Sequence, residues 1–102
     1  MNPLLDQKRK EVADLCRRTG ARHLDAFGSI TRADFDPAHS DLDFLVEFDC
    51  VSPAAYAKAY FELKECLESL FGRPVDLVTP SSLTNPYFRS RVIAESQTVY
   101  AS

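Results

Sequence analysis

Residues 41–78 limit the fold more than any other stretch, because a strand pattern, a long helix pattern and a second strand pattern follow one another there. Residues 41–48, Asp-Leu-Asp-Phe-Leu-Val-Glu-Phe, are apolar at the centre and polar at the start, which is typical of a strand buried on both faces. Residues 74–78 form a shorter strand pattern. Two strands joined by a helix of this length make a crossover unit, so we expect them to be parallel neighbours.

The helix of this unit is the clearest in the chain. Ser52 supplies a capping side chain, Pro53 suits the first helical position, and Gly72 can end the helix in the left-handed conformation. Apolar residues recur between these ends at steps of three and four: Tyr56, Ala59, Tyr60, Leu63, Cys66, Leu67, Leu70 and Phe71. This spacing predicts an amphipathic helix over residues 53–71.

The segments on either side complete an α+β pattern. Before the crossover unit we expect one helix ending at Gly20 and a strand over residues 22–27. A short helical turn that Ser29 caps should follow the strand, and then a loop over residues 34–40. After it we expect a helix over residues 85–95 and an edge strand over residues 98–100. The sequence therefore predicts a small mixed α/β sheet packed against helices.

An acidic pair opens the first strand of the crossover unit. Asp41 and Asp43 are two residues apart, so on a strand both side chains leave the same face, roughly 7 Å apart at the backbone. At about 4 Å and an effective dielectric of 20, two such carboxylates repel by on the order of 4 kcal/mol, which a divalent cation would reverse. An oxygen-only ligand set suits Mg²⁺ or Mn²⁺ better than zinc.

A third acid, Asp76, interrupts the second strand of the unit. Asp is a poor strand residue, and the crossover should place Asp76 beside the strand that carries Asp41 and Asp43. Structural interpretations remain open, in which Asp41 is a turn residue and Asp76 faces solvent. The three acids together indicate a metal site.

A Gly-Ser pair contributes a complementary feature. Gly28 has no Cβ, so its backbone can approach a ligand closely. Ser29, at the start of a helical turn, offers a hydroxyl and free N–H groups to a phosphate. Most Gly-Ser pairs are simple turns, so the pair is informative only through its spacing to the acids.

That spacing resembles the DNA-polymerase-β-like nucleotidyltransferase superfamily. The shared pattern is a Gly-Ser pair at residues 28 and 29, eleven intervening residues, an Asp-Leu-Asp triplet at residues 41–43, and Asp76 in a later Val-Asp-Leu-Val strand. Within the superfamily the chain looks like the minimal nucleotidyltransferases, the MNT proteins that act as antitoxins beside HEPN-domain toxins. The resemblance covers nearly the full length and implies a polymerase-β-like nucleotidyltransferase core.

The resemblance also implies an activity: transfer of a nucleoside monophosphate from a triphosphate, most often AMP from ATP. By that analogy Asp41 and Asp43 would hold two Mg²⁺ ions, and Asp76 would bind one metal and help deprotonate the acceptor hydroxyl. Gly28 and Ser29 would cradle the β- and γ-phosphates of ATP. Two metals stabilise the charge that develops on the attacking and leaving oxygens of an in-line displacement.

Arg32 has two interpretations. It could neutralise the leaving pyrophosphate, or its side chain could simply face solvent. Many members of the superfamily carry Arg directly after the Gly-Ser pair, whereas this chain has Ile30 there and keeps the later Arg32.

Composition bears on the partners. The chain has 102 residues, 45% of them hydrophobic and 26% charged, so we expect one domain over residues 1–102. No apolar run approaches the roughly 20 residues that span a bilayer, and the N-terminal residues do not form a secretory signal, so we expect a cytoplasmic protein without a membrane partner. The net charge of −3 argues against direct nucleic-acid binding.

A chain of this size leaves no room for an acceptor-binding domain, so we expect a partner protein to bring the acceptor. The resemblance implies a HEPN-domain toxin in a hetero-oligomer, with a tyrosine of the toxin as acceptor. The aromatic side chains available for an interface are Tyr56, Tyr60, Tyr87 and Phe88, although helix-spaced aromatics also serve as core.

Two other functions remain open. The chain could neutralise its toxin by direct binding, with a weak or inactive nucleotide site, and the Ile30 departure is compatible with this reading. Alternatively it could transfer the nucleotide to a small molecule, which would require a substrate pocket.

Overall fold

Four strands form one mixed sheet in the computed structural model, which describes residues 2–49 and 52–102. The strands are β1 (Ala21–Phe27), β2 (Leu42–Phe48), β3 (Val75–Val78) and β4 (Gln97–Ala101), and they lie in the order β3-β2-β1-β4. β2 and β3 are parallel, whereas β1 is antiparallel to both β2 and β4. This arrangement confirms the predicted α+β fold with a mixed sheet.

Four α-helices accompany the sheet within the described ranges: α1 (Pro3–Gln7), α2 (Arg9–Thr19), α3 (Pro53–Phe71) and α4 (Pro86–Glu95). The predicted single N-terminal helix is wrong, because the helix is interrupted at Lys8, whose φ of −107° and ψ of 8° leave the regular helical conformation. Gly20 ends α2 with a φ of 83°, as predicted. None of these helices combines the length and apolar character that crossing a bilayer requires.

The predicted crossover unit is confirmed. The Ser52 hydroxyl accepts a hydrogen bond from the Ala55 N–H at 3.2 Å, and Gly72 ends α3 with a φ of 64°. The parallel pairing of β2 with β3 places Asp43 directly opposite Asp76. The crossover therefore brings together two acids that are far apart in the sequence.

The main core lies on one face of the sheet. Leu42, Phe44 and Val46 of β2 are buried there against α2 and α3, whose core side chains include Val12, Cys16, Leu63, Leu67 and Phe71. The intervening residues of β2 are half-buried, so the second face of this strand is covered less completely than the prediction of burial on both faces implied. The reason is that α2 and α3 cover only one face of the sheet.

A smaller apolar cluster lies on the opposite face. It consists of Phe27, Leu83 and Val92, with Leu45 and Val78 packed against it. Val92 is 1% exposed and fixes α4 against this face, which is also the face that carries Asp43. The candidate site therefore lies beside this cluster, between the sheet and α4.

Candidate active site

Gly28 and Asp43 are in direct contact where β1 ends. Phe27, the last residue of β1, pairs with Asp43 across the sheet, and the chain then turns into a 3₁₀ helix over Gly28–Thr31. Gly28 has a φ of +75°, and a Cβ built on it would lie 2.4 Å from Asp43 Oδ2. Glycine is therefore required at position 28 both by backbone conformation and by the space that the carboxylate occupies.

The acids concentrate negative charge at this end of the sheet. Asp43 is half-buried, Asp76 lies opposite it on β3, and Asp41 is exposed immediately before β2. Burial, and then the negative charges of Asp76 and Asp41, raise the pKa of the Asp43 carboxyl to about 6, against the opposing effect of Arg32. Repulsion among these carboxylates favours a bound cation.

The residues present fit a divalent metal by their chemistry. All three acids offer carboxylate oxygens, which Mg²⁺ prefers, and neighbouring negative charge destabilises the ionised form of Asp43. In the part of the chain that the structure describes, no three His, Cys, Asp or Glu side chains already converge as a metal-binding group. Binding would therefore require side-chain rotation by these exposed or half-buried acids.

The Gly-Ser turn differs from the prediction in its detail. Ser29 lies inside the 3₁₀ helix, and Phe27 occupies the N-cap position without a side-chain capping bond, so the prediction that Ser29 caps the turn is wrong. The 3₁₀ helix instead begins at Gly28, which contacts Asp43. Ile30, 2% exposed, packs in the main core, so the side chain at this position is directed away from the acids.

Most of the candidate residues line one cavity of about 250 Å³. Gly28, Arg32, Asp43 and Asp76 all line it, whereas Asp41 and Ser29 are not among its lining residues. The rest of the lining comes from β1 and α4: Phe27, Phe88, Arg91, Val92 and Glu95. The structure thus brings together four of the six predicted site residues and adds α4 as a wall of the cavity.

Glu95, which sequence reasoning missed, connects α4 to the Gly-Ser turn. Its Oε2 accepts a hydrogen bond from the Gly28 N–H at 3.2 Å. Its Oε1 accepts bonds from Arg32 Nη1 at 2.7 Å and from Arg91 Nε at 3.2 Å. A sequence signal existed, because an acidic residue at the last position of a helix is disfavoured by the helix dipole and so requires another explanation.

The hydrogen bonds around Glu95 shift the pKa values of Glu95 and Arg32. Burial alone would raise the pKa of the Glu95 carboxyl, but hydrogen bonds from Arg91 and Arg32 outweigh burial and lower it. Hydrogen bonds to Glu95 and then Asp34 raise the pKa of the Arg32 guanidinium. Arg32 is therefore paired with carboxylates and does not simply face solvent.

The four candidate interface aromatics separate into two pairs. The Tyr60 hydroxyl donates to the Leu77 carbonyl at 2.6 Å, and the Tyr56 ring packs edge-on against Phe48, so both have structural contacts. Tyr87 and Phe88 of α4 are 87% and 45% exposed. Only the second pair offers a substantial free aromatic surface, and Phe88 lies at the cavity.

Curated relatives align with most of this architecture. The chain is 39% identical over 66 residues to a candidate protein adenylyltransferase of Methanocaldococcus jannaschii, an alignment that spans 65% of this chain and 64% of that protein. It is 38% identical over 80 residues to the protein adenylyltransferase MntA of Thermococcus cleftensis, covering 78% of this chain and 74% of that protein.

Solved structures share the fold. A structure described as a minimal nucleotidyltransferase superimposes with a TM-score of 0.69 at 36% identity, covering 91% of this chain and 90% of that one. An MNT antitoxin in complex with a tri-AMPylated HEPN toxin of Shewanella oneidensis superimposes with a TM-score of 0.65 at 19% identity, covering 96% of this chain and 73% of that one.

The sequence also matches the family described as "Nucleotidyltransferase domain" over residues 7–99. This match covers β1, β2, β3 and the first part of β4, together with the Gly-Ser turn and all three acids. The chain therefore belongs to the nucleotidyltransferase domain family and is a nucleotidyltransferase.

Proposed function

We propose that this nucleotidyltransferase transfers AMP from ATP to a hydroxyl of a HEPN-domain toxin, with a tyrosine as the acceptor, and thereby acts as an antitoxin in the cytoplasm. The observation that carries the proposal is the contact between Gly28 and the Asp43 carboxylate, with Asp76 opposite on the parallel strand. This arrangement joins a phosphate-binding turn to an acidic site. The names of the curated relatives support protein as the acceptor class.

Asp41, Asp43 and Asp76 would hold Mg²⁺ in this proposal. When bound, the metal supplies positive charge for the oxygens that attack and leave the α-phosphorus. Before nucleotide binds, the acids themselves keep the site negative and poised for a cation, as the raised pKa of Asp43 indicates. Two ions are proposed from the resemblance to the polymerase-β-like superfamily.

The Gly-Ser turn and Arg32 would bind the triphosphate. The Gly28 N–H points to an anionic group already, because it donates to the Glu95 carboxylate. The Ser29 hydroxyl lies next along the turn, and Arg32 follows at its end with a guanidinium at the cavity. These donors would neutralise the pyrophosphate as it leaves.

Asp76 would accept the proton of the acceptor hydroxyl. It is exposed on β3, which is one of the two edge strands of the sheet, and it lines the cavity. A carboxylate in that position is accessible to a residue on another protein. The acceptor would therefore approach from the β3 side, and the active assembly would be a hetero-oligomer.

Growth rescue separates transfer from simple binding. A HEPN toxin that arrests growth is co-expressed with the wild type, with an Asp41→Ala, Asp43→Ala double variant, or with an Asp14→Ala, Asp49→Ala control that changes two exposed acids elsewhere. We expect rescue by the wild type and the control, with AMP on the toxin, and no rescue by the site variant. Full rescue by the site variant at equal expression would instead support neutralisation by direct binding.

A further inference from the structure

Three N–H donors converge on the carboxylate of Glu95. Arg32 and Arg91 both donate to Oε1, at 2.7 and 3.2 Å, and the Gly28 N–H donates to Oε2 at 3.2 Å. The donors come from the Gly-Ser turn and from α4, so the carboxylate bridges the two walls of the cavity. An arrangement of this kind is an anion-binding site that a side chain of the protein occupies.

The carboxylate and a triphosphate would compete for the same groups. Gly28 and Arg32 are the donors assigned above to the phosphates, and both already bind Glu95. A peptide N–H and a guanidinium N–H each direct a hydrogen bond along one axis, so Glu95 must move when phosphate oxygens take these bonds. Glu95 is the last residue of α4 and its side chain is 20% exposed, so rotation of this side chain toward solvent is the movement that phosphate binding would require.

Arg91 becomes available when Glu95 moves. Its side chain is 64% exposed, lines the cavity and shares Oε1 of Glu95 with Arg32. Val92, the next residue, is 1% exposed and anchors this turn of α4 against the sheet. The backbone of Arg91 is therefore held beside a buried residue, and its exposed guanidinium lies at the same anion position as that of Arg32.

We propose that Arg91 is a second triphosphate-binding arginine, and that Glu95 holds the position of a phosphate oxygen until nucleotide displaces it. The inference rests on the proposed function, since it assigns the triphosphate of the nucleotide to this cavity. It adds α4 to the binding site. It also makes Glu95 a determinant of nucleotide affinity, because each binding event must displace its carboxylate from three donors.

Calorimetric titration with MgATP, with AMP and with inorganic tripolyphosphate tests both roles. Arg91→Ala should weaken binding of ATP and tripolyphosphate about tenfold, the effect of losing one charge-assisted hydrogen bond, and leave AMP affinity nearly unchanged. Arg89→Ala, which removes an exposed arginine from the same helix, is the matched control. Glu95→Gln should tighten binding of ATP and tripolyphosphate several-fold, whereas Glu65→Gln on α3 should not.

The outcomes separate this inference from the proposed function. If the wild type binds ATP and Arg91→Ala binds it as tightly as Arg89→Ala does, Arg91 has no phosphate role and the inference fails alone. Weaker or unchanged ATP binding by Glu95→Gln would show that Glu95 does not compete with phosphate, which also overturns the inference. Absence of ATP binding by the wild type would overturn the inference and the proposed function together.

Discussion

The backbone of Gly28 lies against the carboxylate of Asp43, so closely that a Cβ at position 28 would be 2.4 Å from Oδ2. Gly28 begins the turn that follows β1, and Asp43 lies on the adjacent strand β2. The proposed phosphate-binding turn and the acidic site are therefore one structural unit. Any side chain at position 28 must displace the carboxylate or the turn.

Gly28→Ala is expected to lower AMP transfer at least a hundredfold, because the added Cβ displaces Asp43 Oδ2. Gly20→Ala is the matched control, since Gly20 also has a positive φ, +83°, but a Cβ there meets nothing within 4 Å. Both variants should lose about 1 kcal/mol of stability through backbone strain. Transfer assays and urea denaturation measure the two effects, and equal activity in both variants would contradict the close-contact argument.

Ionisation of Asp43 is expected to cost stability. Its pKa is about 6 in the folded protein and 3.8 ordinarily, so the folded state holds this proton more tightly than the unfolded state. The stability associated with the protonated form is present below about pH 4 and is lost as the pH rises through about 6. Asp43→Asn should therefore exceed the wild type in stability at pH 8 and match it near pH 4.

The expected gain at pH 8 is on the order of 1 kcal/mol, since solvent screens this half-exposed carboxyl. Urea denaturation at both pH values in metal-free buffer measures it. Asp49→Asn, which changes an exposed acid outside the candidate site, is the matched control. A less stable Asp43→Asn protein at pH 8 would show that the carboxylate is not destabilising.

Added Mg²⁺ should offset the loss of stability that the ionised Asp43 carboxylate causes in the wild type. A cation that binds the folded state alone stabilises it by RT ln(1 + [Mg²⁺]/Kd), so the melting temperature rises with the concentration of Mg²⁺. We expect Mg²⁺ to raise the melting temperature of the wild type, EDTA to abolish the rise, and Asp43→Asn to show little response. An equal rise in both proteins would place the metal elsewhere.

Most of this fold follows from local sequence patterns. Capping by Ser52 and Gly72 sets the ends of α3, and the apolar spacing between them identifies its buried face. The parallel pairing of β2 and β3 follows from the helix that joins them. The incomplete burial of the second face of β2 was not predictable from its apolar run, because it depends on where the helices pack.

Asp76→Asn is expected to lower the rate constant of transfer by a factor of about 10² to 10⁴, the range for loss of a general base. Asp76 is exposed, so the variant should fold normally. Steady-state kinetics should show a smaller change in KM for ATP than in kcat. Asp25→Asn is the control, because Asp25 lies on the same face of the sheet and is hydrogen-bonded to His23. This control should retain activity. Loss of activity in both Asp76→Asn and Asp25→Asn would contradict the role of Asp76 as the general base.

Tyr60 supports the edge strand that carries Asp76. Its hydroxyl donates to the Leu77 carbonyl at 2.6 Å, so Tyr60→Phe should lose about 1 kcal/mol of stability. Tyr87→Phe, at a site that is 87% exposed, should be neutral. Hydrogen exchange should show faster exchange of β3 amides in Tyr60→Phe, and unchanged protection would mean that the bond does not stabilise the strand.

The candidate site was less predictable than the fold. Asp43 and Asp76 are recognisable as acids in apolar strands, and Gly28 by its spacing to Asp43. Glu95 is separated from Gly28 by 67 residues, and its bond to the Gly28 N–H exists only because α4 returns across the sheet face. No periodicity or local motif encodes that return.

Transfer of label from ATP to the partner toxin tests the central claim most directly. The wild type is incubated with Mg²⁺, a HEPN toxin and ATP labelled at either the α- or the γ-phosphate, with Asp43→Asn and Asp49→Asn in parallel. We expect label on a toxin tyrosine from α-labelled ATP only, with the wild type and Asp49→Asn but not with Asp43→Asn. Label from γ-labelled ATP, or equal labelling by Asp43→Asn, would contradict it.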